Sequence, residues 1–176
     1  MNPRRCAVPE PSHADGPADD NARLGATAVE FRRVARMNKH QLWSVCIAWC
    51  RDRTAAAAVL SRGLTEAWNV VKQTPEHIVS EGFPHPLRLT ETIYRCVIDA
   101  ASDSLAADRV RTEAAAGNPD DGLASLTAAD ISLYIMDNYS ALPRAVSCDL
   151  LNIPDDGNET LERVTKVLLR EDPEVR

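Results

Sequence analysis

Hydrophobic side chains recur at intervals of three and four residues along most of this chain, which is the spacing of one face of an α-helix. The clearest example is the stretch Leu126–Arg170. It contains an apolar run over 131–136, a short amphipathic segment over 142–151 and a longer one over 161–168. This pattern predicts three consecutive helices in the last third of the chain.

The second and third of these predicted helices are separated by a stop signal. Asn152 is a residue type that often ends a helix, and Pro154 just beyond it cannot continue one. Asp155 or Asp156 can then cap the third helix through its carboxylate. A short helix, a tight turn and a longer helix with a polar outer face are the parts of a helix-turn-helix. An ordinary helical hairpin uses the same parts, so the pattern leaves both interpretations open.

The hydrophobic pattern also predicts helices in the first two thirds of the chain. Helical spacing runs through residues 31–73 with a break at 51–54, and it returns over 89–105 after a loop. Gly63 lies inside one of these stretches, where glycine costs about 1 kcal/mol relative to alanine. It therefore predicts close packing against a neighbouring helix.

Composition divides the chain into segments. The first 28 residues are rich in Pro, Asp, Gly and Ala and offer little to bury, which predicts a disordered tail. Residues 117–122 are dense in turn residues and predict a domain boundary. We therefore expect an all-α fold of two small helical domains joined by a flexible linker. The expected segments are a tail at 1–28, a helical domain at 29–105, a linker at 106–124 and a helix-turn-helix domain at 125–172.

The overall composition favours helices and argues against a membrane protein. Hydrophobic residues make up 44% of the chain and aromatic residues only 5%, without long alternating β-branched runs. No apolar run approaches the roughly 20 residues that a membrane span needs. Arg4 and Arg5 lead into Pro, Asp and Gly rather than into the apolar core of a signal peptide. Five cysteines without paired spacing favour reduced thiols, so we expect a cytoplasmic protein with no membrane partner.

Charge is distributed unevenly along the chain, whose net charge is −6. Residues 31–105 contain ten Arg and Lys against seven Asp and Glu, whereas residues 125–176 contain five against ten. Nucleic-acid phosphates attract a basic surface and repel an acidic one. The first half can therefore meet phosphates, while the acidic second half, which carries the predicted helix-turn-helix, opposes them.

Several stretches resemble bacterial RNA polymerase sigma factors of the extracytoplasmic-function (sigma-70-like) family. The order of helices, linker and terminal helix-turn-helix is similar. Leu126–Pro154 aligns with the second domain of the family without a gap and ends in a similar Asn-Ile-Pro turn. In the first domain the similar stretches are Leu42–Arg53, Val59–Leu60, Glu66–Trp68, Ile93–Arg95 and Asp103.

The resemblance implies a non-enzymatic transcription-initiation factor with no cofactor and no metal. Its first domain would bind core RNA polymerase and the melted promoter strand, and its second domain would engage upstream promoter DNA. A cleft between the two domains would hold an anti-sigma factor, which is the third partner that the resemblance implies. The implied polymerase-binding residues are Val59, Leu60, Arg62, Leu64 and Trp68.

The resemblance also implies two groups of DNA contacts. Arg88, Tyr94 and Arg95 would line a groove for single-stranded DNA, with Tyr94 as a stacking platform or, alternatively, as a residue at the edge of the core. Arg144, at the start of the short helix, would bind a phosphate; alternatively, it is an ordinary surface arginine. On the recognition helix the candidates for DNA contact are Asn158, Thr160, Arg163, Lys166 and Arg170. The alternative interpretation of these residues is a solvated charged face.

The chain departs from the family at its contact surfaces. Ala57, Ala58 and Arg62 stand where the family carries acidic or glutamine side chains that dock on the clamp of the largest polymerase subunit. Glu159 and Glu162 lie on the outward face of the predicted recognition helix, where carboxylates beside phosphates lower DNA affinity. The alternative function is therefore a degenerate sigma-like protein that acts through protein contacts, by sequestering an anti-sigma factor or modulating polymerase, without sequence-specific DNA binding. A helical interaction module with a coincidental likeness is the third hypothesis.

Side chains that carry chemistry form no convincing site in the sequence. His40, Cys46 and Cys50 provide three potential zinc ligands, but a structural site needs four, and buried thiols are the preferred interpretation. Cys148 has no histidine nearby in sequence to activate it as a nucleophile. No phosphate-binding loop or catalytic-triad motif is present. An enzyme is the function class with the least support.

Overall fold

The computed structural model describes residues 17–73, 79–80, 83–109, 126–154 and 156–171. Regular structure in these residues is helical except for one antiparallel pair of two-residue strands, so the predicted all-α class is confirmed for them. None of the helices in this part of the chain is long and apolar enough to cross a membrane. In chain order the elements are α1 (Pro17–Met37), α2 (Lys39–Cys50), α3 (Arg53–Gln73), β1 (Val79–Ser80), β2 (Phe83–Pro84), α4 (Pro86–Arg109), α5 (Ala128–Tyr139), α6 (Arg144–Leu150) and α7 (Asn158–Glu171).

Helices α3 and α4 pack directly against each other at a glycine. A Cβ atom at Gly63 would lie 2.7 Å from Val97 Cα, closer than real Cβ atoms approach a neighbour. The glycine therefore lets the two backbones meet, and the predicted close packing at Gly63 is confirmed. The same packing makes the helix of Trp68 a neighbour of the helix of Tyr94.

The first helix begins earlier than composition predicts. Helix α1 starts at Pro17, so the prediction of a disordered tail is wrong for residues 17–28, while residues 1–16 lie outside the described part of the chain. Proline is accepted in the first turn of a helix, because the N–H that it lacks would have no partner there. Thr27 and Phe31, one turn apart, are both buried. Packing of this face outweighs the polar composition of the segment.

Two further helix boundaries differ from the predicted ones. The first predicted helix is divided at Asn38, whose side-chain Nδ2 donates a 2.9 Å hydrogen bond to the carbonyl of Val34. Asparagine side chains compete in this way for backbone groups that a helix would otherwise use. Helix α4 continues to Arg109, so residues 106–109, the alanine-rich start of the predicted linker, continue the helix. Residues 110–125 lie outside the described part of the chain.

One hydrophobic core joins the two halves of the chain. Its buried side chains come from α1 to α4 and also from α5 and α6. The indole N–H of Trp49 in α2 donates a 2.9 Å hydrogen bond to the hydroxyl of Ser132 in α5, and Ser132 is fully buried. The Gln41 side-chain amide donates to the carbonyl of Tyr139 at 3.2 Å. The halves thus pack together in this structure, and their division into separate domains stays a prediction.

Candidate nucleic-acid and polymerase interface

The turn between α6 and α7 is closed by a complete Schellman motif. The N–H of Asn152 donates to the carbonyl of Asp149 at 3.2 Å, and the N–H of Ile153 donates to the carbonyl of Cys148 at 3.0 Å. Asn152 has a φ of 53°, the left-handed conformation that this motif requires and that asparagine tolerates. The predicted helix end at Asn152 is confirmed. Asn152 and Pro154 are exposed, so the turn lies at the surface.

Helix α7 begins where an aspartate caps it. Asp156 Oδ1 accepts a 3.1 Å hydrogen bond from the backbone N–H of Asn158, which confirms capping by Asp156. Asp155, the other predicted cap, lies outside the described residues. Val164 faces inward and is fully buried, while α7 packs against α5. The predicted short helix, turn and long helix are therefore all present.

Gly157, which precedes α7 directly, is a position that the sequence did not single out. Its φ is 71°, and a Cβ atom there would lie 2.7 Å from Leu133 Cδ2 and 2.9 Å from Cys148 Sγ. The left-handed conformation therefore favours glycine, and a larger residue would also have to displace the side chains of Leu133 and Cys148. A glycine immediately before a predicted helix start was the only signal available for this role.

Arg163 is bound to a carboxylate of α5. Its guanidinium donates a 2.6 Å hydrogen bond to Oδ1 of Asp130, a residue that is only 5% exposed. The other oxygen of Asp130 accepts the N–H of Thr127 at 2.8 Å, and the Thr127 hydroxyl accepts the N–H of Asp130 at 3.1 Å, which completes a capping box. Arg163 thus anchors α7 to the start of α5. The guanidinium nitrogen that binds Asp130 is directed at α5 and not at solvent.

Arg144 is the centre of a second network. It donates two hydrogen bonds to the carboxylate of Asp137, at 2.6 and 2.9 Å, and a third to Oδ1 of Asn158 at 2.8 Å. The Asn158 side chain also donates to the carboxylate of Asp156. Two of the predicted DNA contacts, Arg144 and Asn158, are therefore brought together at the start of α7, and they bind each other and two carboxylates.

The rest of the outward face of α7 has mixed charge. Glu159, Glu162 and Lys166 are exposed beside Arg163, and Thr160 is half-buried. Lys166 makes no hydrogen bond or ion pair with the described residues. Lys166 is thus directed at solvent without a carboxylate partner among the described residues, while the side chain of Arg170, another predicted contact, lies outside the described part of the chain.

The α4 candidates separate into exposed and buried residues. Arg88 and Arg95 are exposed, and Arg95 pairs with Glu91 on its own helix at 3.2 Å and with Asp149 of α6 at 3.6 Å. Tyr94, in contrast, is 0% exposed, so the prediction of a stacking platform is corrected: its ring has no free face in this structure. Its hydroxyl has no hydrogen-bond partner among the described residues, and burial raises the pKa of Tyr94.

The predicted polymerase-binding residues of α3 also differ in their exposure. Val59 is buried in the core, so the prediction that it contacts a polymerase is corrected: its side chain does not lie on the surface. Leu60 and Leu64 are half-buried, and so is Trp68, whose ring packs on Phe31 with 5.3 Å between ring centroids. Leu64 and Trp68 line a groove of about 440 Å³ between α1 and α3. These two side chains remain available to a partner protein.

Arg62, another of the predicted polymerase-binding residues, is directed at α4. Its guanidinium donates a hydrogen bond to the carbonyl of Ala100 and lies 3.9 Å from the carboxylate of Glu66. The side chain is still about half exposed. Arg62 therefore stabilises the α3–α4 pair and presents only part of its charge to solvent.

The cysteines are free thiols in the described part of the chain, and no three potential metal ligands cluster there. Cys46 is buried, and desolvation, followed by the nearby Cys50, raises the pKa of its thiol to about 12. Cys148 is also buried, and desolvation is the main cause that raises its pKa above the ordinary value. Such thiols stay protonated near neutral pH and are poor nucleophiles.

Comparison of the chain with family models, with curated proteins and with solved structures found no match. The geometry described above therefore stands without support from a relative. It consists of a surface turn between two helices, a helix α7 of mixed charge, and an apolar groove between α1 and α3.

Proposed function

We propose that this chain is a sigma-factor-like regulator of transcription initiation, which binds core RNA polymerase through α3 and promoter DNA through α4 and α7. One observation carries the proposal: α5, α6, the Asn152 turn and α7 follow each other, and the outer face of α7 is open to solvent. A helix-turn-helix needs this order to place its second helix in the major groove of DNA. The packing of α3 beside α4 supports the same resemblance in the first half of the chain.

The polymerase-facing surface in this proposal is the groove between α1 and α3. Leu64 and Trp68 provide its apolar lining, and aromatic residues in such grooves often supply a large part of the binding energy of an interface. Ala57 and Ala58 leave the neighbouring positions without the acidic side chains of the family. We therefore expect an interface that depends more on apolar contact than on charge.

Purification with core polymerase and start-site-specific transcription test this proposal. We expect the chain to bind core polymerase, and Trp68→Ala to weaken that binding at least tenfold. Val70→Ala is the matched control, because Val70 is an exposed apolar residue of the same helix and does not line the groove. If the chain neither binds core polymerase nor supports transcription from a defined start site, the proposal is wrong.

A second function is favoured by the internal pairing of the predicted DNA contacts. Arg163 binds Asp130, Arg144 binds Asp137, and the exposed charge of α7 includes two glutamates. A surface of this kind opposes phosphate binding. The second candidate is thus a degenerate sigma-like protein that acts through protein contacts, either on polymerase or on an anti-sigma factor, without sequence-specific DNA binding.

The salt dependence of DNA binding separates the two functions. Each phosphate neutralised by a basic side chain adds about −0.9 to the slope of log affinity against log salt concentration. For the first function we expect a measurable slope that Lys166→Ala reduces by about one phosphate contact. Tight protein binding without any salt-sensitive DNA affinity would support the second function instead.

A further inference from the structure

The floor of the groove between α1 and α3 is aromatic and apolar. The rings of Phe31 and Trp68 meet there with 5.3 Å between their centroids and an interplanar angle of 54°. Phe31 is buried, whereas Trp68 is half-buried and keeps part of its ring at the surface. Leu64, one turn before Trp68 on α3, extends the same surface. The groove, of about 440 Å³, therefore offers a partner an apolar surface to bury.

Basic side chains lie on both sides of this floor. Arg32 of α1 lines the groove, and the ammonium group of Lys72 on α3 lies 5.9 Å from the centre of the Trp68 ring. Both side chains are exposed, and neither forms an ion pair with the described residues. The described residues that line the groove include no carboxylate. The charge beside the apolar floor is therefore positive on both sides.

The carboxylates of the same two helices are paired away from the groove. Glu30 of α1 accepts two hydrogen bonds from Arg33, at 2.7 and 2.5 Å, and Glu66 of α3 lies 3.9 Å from Arg62. Neither carboxylate lines the groove. Five arginines of the described chain lie beside a carboxylate, and these are Arg33, Arg62, Arg95, Arg144 and Arg163. Arg32 differs from them, so its guanidinium is available to a carboxylate of a partner.

The walls of the groove favour a helical partner over an extended one. Helices α1 and α3 have 21 residues each, and their backbone N–H and C=O groups bond within the helices. An extended peptide would find few backbone partners along such walls, whereas a helix satisfies its own backbone groups. The hydroxyl of Thr65, which also lines the groove, donates to the carbonyl of Ser61 at 2.9 Å. Apolar contact and charge are therefore the main means of recognition here.

We propose that the groove between α1 and α3 binds an acidic amphipathic helix of a partner protein. Apolar side chains of that helix pack on Leu64 and Trp68, and its carboxylates pair with Arg32 and Lys72. The inference rests on the proposed function for the role of the groove as a protein interface, and it adds the charge and backbone form of the segment that fills it. It also reverses the sign of the contact that the resemblance implies, in which the sigma factor supplies the acidic side chains.

Selection from a displayed library of helical peptides tests the charge of the partner without assuming its sequence. The full chain is immobilised, and the library samples Glu, Lys, Gln, Ala and Leu equally at each position. We expect the selected peptides to have a net negative charge and apolar residues at spacings of three and four. Loss of this charge preference in a selection against Arg32→Glu is the second expected result.

The strongest selected peptide is then synthesised with a fluorescent label, and its Kd for each variant is measured by fluorescence anisotropy. We expect Trp68→Ala to raise the Kd by about tenfold and Arg32→Glu by about fivefold. Val70→Ala and Arg53→Glu are the matched controls, because both residues are exposed on α3 and neither lines the groove. Circular dichroism confirms that each variant keeps its helices, and Arg32→Glu changes only an exposed side chain.

Three results overturn the proposal. The first is a selected pool that is neutral or basic, and the second is an acidic peptide whose Kd changes in neither Trp68→Ala nor Arg32→Glu. The third is a different occupant of the groove. A labelled single-stranded DNA that binds more tightly than the peptide and is released by Trp68→Ala indicates a nucleic acid. Self-association in sedimentation that Trp68→Ala abolishes indicates a second copy of the chain.

Binding of core polymerase by the same variants separates this inference from the proposed function. If the acidic peptide needs both Trp68 and Arg32 while the chain does not bind core polymerase, the inference stands and the proposed function fails. If core polymerase binds and is weakened by Trp68→Ala but not by Arg32→Glu, and the selected peptides are not acidic, the proposed function stands and the inference fails.

Discussion

The Asp130 carboxylate is the side chain on which the position of α7 depends most directly, and Asp130→Asn tests this. Its two oxygens accept from different groups: the N–H of Thr127 at 2.8 Å and the guanidinium of Arg163 at 2.6 Å. An amide has only one acceptor oxygen, so in the variant one of these donors must face an NH₂ group. The variant therefore loses either half of the capping box or the bond to Arg163.

The expected cost follows from these two bonds. Loss of a helix cap costs about 1 kcal/mol, and a hydrogen bond to a charged group contributes about 1.5–3 kcal/mol. Because about half of the Arg163 side chain is exposed, water replaces part of its bond, and we take the lower end of that range. Because the variant keeps one of the two bonds, we expect Asp130→Asn to lower the free energy of unfolding by about 1–1.5 kcal/mol. For a chain of this length that corresponds to a decrease in Tm of about 2–6 °C.

Urea unfolding followed by circular dichroism measures the effect, and a double-mutant cycle with Arg163→Gln assigns it. If the two residues act through one bond, the double variant costs at least 1 kcal/mol less than the sum of the single variants. Asp103→Asn is the control, because Asp103 is an exposed aspartate of α4, and we expect a change within about 0.5 kcal/mol. Additive effects of Asp130→Asn and Arg163→Gln would refute the pairing and leave Arg163 available for DNA.

Three further predictions concern glycine, tyrosine and cysteine positions. Gly157→Ala should lower the unfolding free energy by about 2–4 kcal/mol, because it adds left-handed strain and a clash. Gly25→Ala, which adds a methyl group in open space on α1, should instead raise the unfolding free energy by about 0.5–1 kcal/mol. Urea unfolding measures both changes. Tyr94→Phe removes a buried hydroxyl that has no partner among the described residues, and it should raise the unfolding free energy by about 1 kcal/mol. A clear decrease would show that the hydroxyl has a partner. The raised pKa of Cys46, about 12 against an ordinary 9.0, means that the folded state holds its proton more tightly than the unfolded state. The contribution of Cys46 to the unfolding free energy is therefore complete below about pH 9. It is lost as the pH rises towards 12, at up to about 1.4 kcal/mol per pH unit. The difference in unfolding free energy between the parent chain and Cys46→Ala should fall over that interval.

Local signals explain which elements were predictable from the sequence. The helices of the last third carry both a hydrophobic stripe and clear end signals, and Asn152 and Asp156 make the capping bonds that their residue types suggest. The start of α1 was not predictable from composition, because its helix is stabilised by packing of Thr27 and Phe31 against other elements. That packing depends on the tertiary structure, which a count of Pro, Asp and Gly residues does not include.

The spacing of residues along α4 indicates that Tyr94 is buried. Thr90, Tyr94, Val97 and Ala101 are spaced as one helix face, and all four are buried. Helix α4 packs against α3, α2 and α1, so its buried face is wider than a single stripe of aliphatic residues suggests. The resemblance implied a groove for single-stranded DNA at Tyr94, with the edge of the core as the alternative, whereas its spacing indicates a position within the core.

The partners of the arginines decide how far the resemblance extends to function. Asp130 is 33 residues from Arg163 in sequence and Asp137 is seven residues from Arg144, so no helical period reveals the first of these pairs. Each pair uses one carboxylate of the acidic second half and one arginine that the resemblance assigned to DNA. Among the side chains of α7 that the structure describes, pairing leaves the outward charge mainly to Glu159, Glu162 and Lys166, which favours a protein partner over a phosphate backbone. An arginine that matches a family position supports DNA binding only when its guanidinium is not neutralised by a carboxylate. Asp130→Asn removes the negative charge beside Arg163 and keeps the charge of the arginine, so any DNA affinity of this helix should increase in that variant.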